Sequence, residues 1–254
     1  MSAGRVIVDY SRERKLGDVM DRERLRKQIA FDAARLLSVG RADDPHQARL
    51  RASRRLVRGW TPRAGMPTTR EVLDATSALA ASTALLPTPY AELRTLLAPL
   101  AHVRMPPATH PEGDALYHSL QAFEIVRVAV PYDIELMTAA LVHEVGRAID
   151  PYEPHAAGLG ELVDLTTERT LWLLVELPNE LRRPDGELGA RATRRLSAHE
   201  DAATLTTLAQ ADRDARVCGN PAPDLDEALA VLIALDDDLC EQDADEPRDW
   251  TDAG

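Results

Sequence analysis

Apolar residues recur along this chain at intervals of three and four, the period of a helix with one buried face, and hardly anywhere at the interval of two that marks a strand. Leu25, Ile29, Ala33, Leu36 and Leu37 make one such stripe, which predicts a helix over about 12–39, stopped by Gly40 in the left-handed conformation. Asp43 or Asp44 can cap the next helix, with Pro45 in its first turn, and that helix reads to about Trp60. Thr61–Met66 reads as a loop. Thr68-x-x-Glu71 is a capping box for a third helix through about Ala81. Further runs predict helices over about 90–100, 156–163, 166–177, 190–197, 201–215 and 224–239. Asp164 or Thr166 is placed to cap the helix at 166–177. Pro99, Pro131, Pro178 and Pro184-Asp185-Gly186 punctuate the pattern. Val6-Ile7-Val8 is the lone short β-branched run, so an all-α fold is expected.

Composition sharpens this picture. The 254 residues are rich in alanine, leucine, arginine and glutamate and poor in aromatics, which suits helices. Cys218 and Cys240 have neither metal-ligand spacing nor a disulfide framework, so a cytoplasmic protein is expected. No apolar run approaches the length of a membrane span, and no membrane partner is expected. The net charge of −12 is unevenly spread: residues 1–72 hold 17 basic and 9 acidic side chains, and the remainder is strongly acidic. Arg49, Arg51, Arg54, Arg55 and Arg58 concentrate in one predicted helix. Residues 41–63 are therefore a candidate RNA contact, but a solvated or docking face against the acidic remainder is the favoured reading. Trp60 is the lone aromatic there, so stacking on single strands is not indicated. No Walker-type loop, nucleophile elbow or dinucleotide fingerprint appears.

The chemistry concentrates between His110 and Asp150. Leu116, Leu120, Phe123, Ile125, Val126 and Val128 form one apolar helical face, with His118 near its start. Ile134, Leu136, Met137, Ala140, Leu141 and Val145 form a second, with His143 and Glu144 near its end. Packed side by side, two such helices bring His118 to the His143–Glu144 pair. Two imidazoles and a carboxylate on rigid helices make most of the ligand set of a divalent metal.

The same stretch resembles the HD superfamily of metal-dependent phosphohydrolases, and most of all the HD domains that accompany bacterial tRNA nucleotidyltransferases. The likeness rests on His110-Pro111-Glu112-Gly113-Asp114 leading to His118, on Ala139–Arg147 (AALVHEVGR), and on Gln210–Arg216 (QADRDAR), and it covers about residues 88–235. It implies an HD-like helical bundle in which His118, His143, Glu144 and Asp212 bind a divalent ion, with Mn, Fe, Co or Zn suiting the donors better than Mg. Glu144 and Asp212 are the implied catalytic carboxylates. His110 and Glu112, in the opening loop, and Arg147 and His155 are the expected contacts of the substrate, a nucleotide or other phosphorylated small molecule. The family's His-Asp doublet is His143-Glu144 here, its following lysine is Arg147, and Leu171–Leu181 carries no histidine where relatives often have one or two. These departures keep a second reading open, that of an HD-like domain binding a ligand, RNA or protein without hydrolysis. The expected organisation is a basic helical module at 1–86, an HD-like domain at 87–240 and an acidic disordered tail at 241–254.

Overall fold

The computed structural model describes residues 10–59 and 61–245; the expected N-terminal arm before Tyr10, Trp60 and the tail beyond Asp245 lie outside them. The described residues form eleven α-helices and no β-strand, so the fold is all-α. The helices are α1 (Tyr10–Ser38), α2 (Pro45–Leu56), α3 (Thr69–Thr83), α4 (Thr88–Leu97), α5 (Ala115–Ala129), α6 (Ile134–Val142), α7 (Pro154–Leu162), α8 (Glu168–Arg182), α9 (Ala190–Ser197), α10 (Ala202–Asp214) and α11 (Leu225–Asp245). Short 3-10 turns occupy Arg63–Gly65, Ala98–His102 and Val145–Ala148. The helix expected at 90–100 thus ends at Leu97, and Pro99 sits in the tighter turn that follows. Backbone contacts divide the chain into two compact units, with the boundary between Ser82 and Thr83.

The first unit packs α1 against α2 around Ile29, Ala33, Leu36, Ala48, Ala52, Leu56 and Val72. Its punctuation follows backbone chemistry. Gly40 takes φ 67°, which glycine adopts without a Cβ clash. The Asp44 carboxylate accepts from the N–H groups of His46 and Gln47, and Pro45 stands at the first helical position. Thr68 and Glu71 form a reciprocal capping box: Glu71 Oε2 accepts from Thr68 N at 2.7 Å, and Thr68 Oγ1 from Glu71 N at 3.2 Å. The α2 helix stops earlier than its charge pattern suggests, at Leu56, because Val57 turns to extended backbone. Two of its arginines are spent inside the unit: Arg49 donates to the Pro67 carbonyl at 3.0 Å, and Arg51 to that of Arg41.

The second unit buries Phe123 of α5, Leu136, Met137 and Leu141 of α6, Leu173 of α8 and Leu205 of α10 in one core. Here α5 packs on α6 and α10, while α8 packs on α6, α7 and α10. Two elements differ from the sequence pattern. The cap of α8 is Thr167, whose hydroxyl accepts from Thr170 N, rather than Asp164 or Thr166. The same helix runs through Pro178 to Arg182. Leu173, Leu174, Leu177 and Leu181 continue its buried stripe on both sides of the proline, so packing outweighs the loss of one backbone hydrogen bond. The α11 backbone stays helical to Asp245, past the expected start of a tail.

A charged pin fixes the end of α6 remote from His143. Arg169 of α8 donates to Asp133, the cap of α6, at 2.8 and 2.9 Å, to Glu135 at 3.0 Å and to Asp201, just before α10, at 2.6 Å. Burial alone would raise the Asp133 carboxyl, but its hydrogen bonds from Arg169 and from the Leu136 N–H outweigh that and hold it below the usual carboxylate range. A lowered folded-state value means stability that is present above the ordinary aspartate range, about pH 3.9, and lost as pH falls through the folded value. Arg169→Met should therefore cost about 2 kcal/mol at neutral pH, by leaving three carboxylates together. It should also flatten the fall of melting temperature below about pH 4. An unchanged acid limb in thermal melts would contradict the pin.

Candidate metal centre

Each residue at the centre of the second unit is delivered by a helix end. His118 lies in the first turn of α5, behind the Asp114 cap, whose carboxylate accepts from Tyr117 N at 2.9 Å. His143 is the residue at which α6 ends. Glu144 follows with φ −100° and ψ 1°, the sparsely populated bridge region in which many active-site residues sit. Asp212 lies in the last turn of α10. The loop after α10 is strapped to α5 by Gln121, donating to the Val217 carbonyl at 2.8 Å, and by Tyr117, donating to that of Asn220 at 2.7 Å.

These ends bring one potential ligand atom from each of His118, His143, Glu144 and Asp212 within 4.8 Å of one another. His118 Nε2 lies 3.1 Å from Asp212 Oδ1, and His143 Nε2 lies 3.4 Å from the same oxygen. On the other side of His118, its Nδ1 is 2.8 Å from Glu112 Oε1, without the alignment of a hydrogen bond. The His118 and Glu112 side chains are both fully buried. Glu144 pairs with Arg147, and Asp212 Oδ2 accepts from Arg216 at 2.5 Å.

The group is rich in carboxylates. Glu112, Glu144 and Asp212 bring three carboxylates, which face the two guanidiniums of Arg147 and Arg216. His143 Nδ1 is 2.8 Å from the Ala140 carbonyl, which can only accept, so Nδ1 carries a proton and Nε2 is left facing Asp212, as a donor when the ring is charged and as a lone pair when it is neutral. His118 stands between two carboxylates, and a neutral imidazole has one N–H for the pair. His118 Nε2 and Asp212 Oδ1 form a hydrogen bond, whereas His143 Nε2, His118 Nδ1 and both Glu112 oxygens are buried without a hydrogen-bond partner. Orphaned polar atoms of this kind are costly unless a proton or a metal ion joins them. Two imidazole nitrogens with carboxylate oxygens suit a divalent transition metal, and a carboxylate behind a ligating histidine fixes its tautomer. The residues present therefore fit a metal ion, with Glu112 as the support of His118.

The charges follow this geometry. Burial opposes ionisation of Asp212, yet His118, His143 and Arg216 hold its carboxyl far below the usual range. Burial pushes the His143 imidazole down, but Asp212, Glu144 and the Ala140 carbonyl raise it above its ordinary value overall. His110 is pushed down to about 4 by burial and by the charges of His118, Arg216 and Arg147, so it is neutral near pH 7.

A cavity of about 190 Å³ opens beside the cluster. His110, His143, Glu144, Arg147, His155, Asp212 and Arg216 all line it. Of the substrate contacts expected from the sequence, His110 is buried with Nε2 unpartnered, Arg147 is partly exposed and His155 is exposed at the first turn of α7. Glu112 does not line the cavity but lies at His118. Arg216 escaped the sequence reading. Its signal was the helical i, i+4 spacing from Asp212, within a phrase in which the aspartate alone was singled out.

No protein-family model matches the chain, and no curated protein matches it in sequence.

The wall that carries Glu144 and Arg147 depends on a close backbone approach. A Cβ on Gly146 would meet the Pro154 carbonyl oxygen at 1.7 Å and Gly158 N at 2.7 Å, whereas one on Gly160 would meet nothing within 4 Å. Gly146→Ala should thus push α7 away from the Val145–Ala148 turn and cost about 3 kcal/mol or more. Gly160→Ala, in the same helix, should be neutral or gain a few tenths of a kcal/mol. Equal melting temperatures for the two variants would show that the approach is not tight.

Proposed function

We propose that the second unit is a metal-dependent phosphoester hydrolase of the HD type. The observation that carries this reading is the convergence of His118, His143 and Asp212 on one point, with His143 Nε2 buried and unpartnered there, beside a cavity that also presents two guanidiniums. His118, His143, Glu144 and Asp212 would hold the ion, which when bound acidifies a water molecule and neutralises phosphate oxygens. The rest falls to the chain. Arg147 and Arg216 present planar N–H forks that match phosphate oxygens. Asp212 anchors Arg216, and Glu144 anchors Arg147, so neither guanidinium has to be ordered when substrate arrives. Glu112 holds the His118 ring in one orientation. In the net reaction the oxygen of water forms the new P–O bond, the ester P–O bond breaks, and the released alcohol keeps a proton from that water.

Two observations favour a second reading, binding without hydrolysis. The Glu144 carboxylate is engaged by Arg147, and the α8 residues at the cavity are leucines and a proline rather than ligands. A glutamate also carries its carboxylate about 1.5 Å further than an aspartate would, where a working site needs placement to about 0.5 Å.

The two readings separate on variants of Glu144 and His143. Under the hydrolase reading, wild type loaded with Mn or Co cleaves a generic phosphoester, and Glu144→Asp raises metal occupancy and rate together. His143→Ala should abolish both, while its folding is followed by circular dichroism. An aspartate variant that takes up metal and hydrolyses no phosphomonoester or phosphodiester leaves the binding reading in place and ends the enzymatic one.

A further inference from the structure

The cavity lining divides by element. The polar groups come from the loop before α5, the end of α6, the first turn of α7 and the end of α10, whereas α8 and the body of α7 contribute Leu159, Leu162, Leu174, Leu177, Pro178 and Leu181. On α8 these residues fall at i, i+3, i+4 and i+7, one continuous stripe of the helix. The polar side chains of α8 are committed elsewhere. Glu176 accepts from Arg195 at 2.6 Å and from Asn179 at 2.7 Å, and Glu180 from Arg183 at 2.5 Å and Thr206 at 3.0 Å. That wall therefore offers a ligand no side-chain hydrogen bond. A sugar hydroxyl or a base edge pressed against it would lose its water and gain no partner, which is costly. An apolar group would gain from the same burial.

We infer, resting on the metal-site reading above, that the site takes a phosphomonoester of a compact apolar alcohol or phenol, its phosphate at Arg147 and Arg216 and its apolar group against the leucine wall of α7 and α8. The volume agrees with this class. A cavity of about 190 Å³ lies below the roughly 300–1,000 Å³ of pockets that hold drug-sized ligands. It suits a phosphate with a single ring or a short branched chain, and leaves a nucleoside little room.

The test is binding by calorimetry to Mn-loaded protein, using non-hydrolysable phosphonates. Phenylphosphonate should bind about tenfold or more tightly than 2-hydroxyethylphosphonate. Leu181→Asn, at a partly buried position, should remove that preference and leave the affinity for inorganic phosphate within about twofold. Leu159→Asn repeats the test from α7 should the first variant melt early. Arg216→Gln should weaken both phosphonates and phosphate alike. Phosphate binding without preference between the phosphonates, or a preference that survives both asparagine variants, overturns the inference and leaves the metal site standing. Tighter binding of a nucleoside monophosphate than of phenylphosphonate overturns it too. If wild type takes up no Mn and binds none of the ligands, the reading beneath it fails and the inference falls with it.

Discussion

The second unit is built around a carboxylate that has almost no contact with water. Asp212 is 3 % exposed and remains charged. A charge so placed needs counter-charge or several hydrogen bonds, and the surrounding helices supply them from different directions. α5 brings His118, the end of α6 brings His143, and the segment just after α10 returns Arg216. The histidines that this aspartate needs carry further demands. His143 is tied to the Ala140 carbonyl, and His118 is flanked by Glu112, a second buried carboxylate. Each compensation thus leaves a deficit for the next group, and one cation at the meeting point would settle them together.

The fold serves this arrangement by spending rigidity at helix ends. Arg169 clamps the start of α6, and the close approach of Gly146 to Pro154 fixes the turn beyond its end. His143 and Glu144 are held between those fixtures, where a shift of an ångström would separate the donors. The bundle supplies the other half of the cavity more simply, as apolar residues of α7 and α8 that double as core. Arginines fixed by carboxylates on one side and leucines on the other make a site with two chemically distinct ends.

Much of this was legible in the sequence. The three- and four-residue stripes place the helices, and Gly40, Asp44-Pro45 and Thr68-x-x-Glu71 mark ends that depend on local chemistry alone. His118 and His143 were readable as neighbours because each interrupts an apolar face that has no local need of it. What escaped depends on tertiary packing. Pro178 reads as a helix end until the leucines on both sides of it are seen to share one buried stripe. α2 ends at Leu56, earlier than the arginine pattern suggests, since Val57 already leaves the helix. Glu112 reads as a loop residue open to substrate, and only the return of the loop onto α5 turns it toward His118. Arg216 was hidden by the many other arginines of the chain, which its place on the cavity alone sets apart.

The account stands or falls on one cation at one place. Crystals of the tag-free protein soaked in Mn or Co, with data collected at the metal absorption edge, test it directly. The account predicts a single anomalous peak per chain of the second unit, within bonding distance of His118 Nε2, His143 Nε2 and Asp212 Oδ1. No peak, or a peak away from these atoms with both imidazoles still turned on Asp212, would contradict it and leave the cluster as a buried salt bridge.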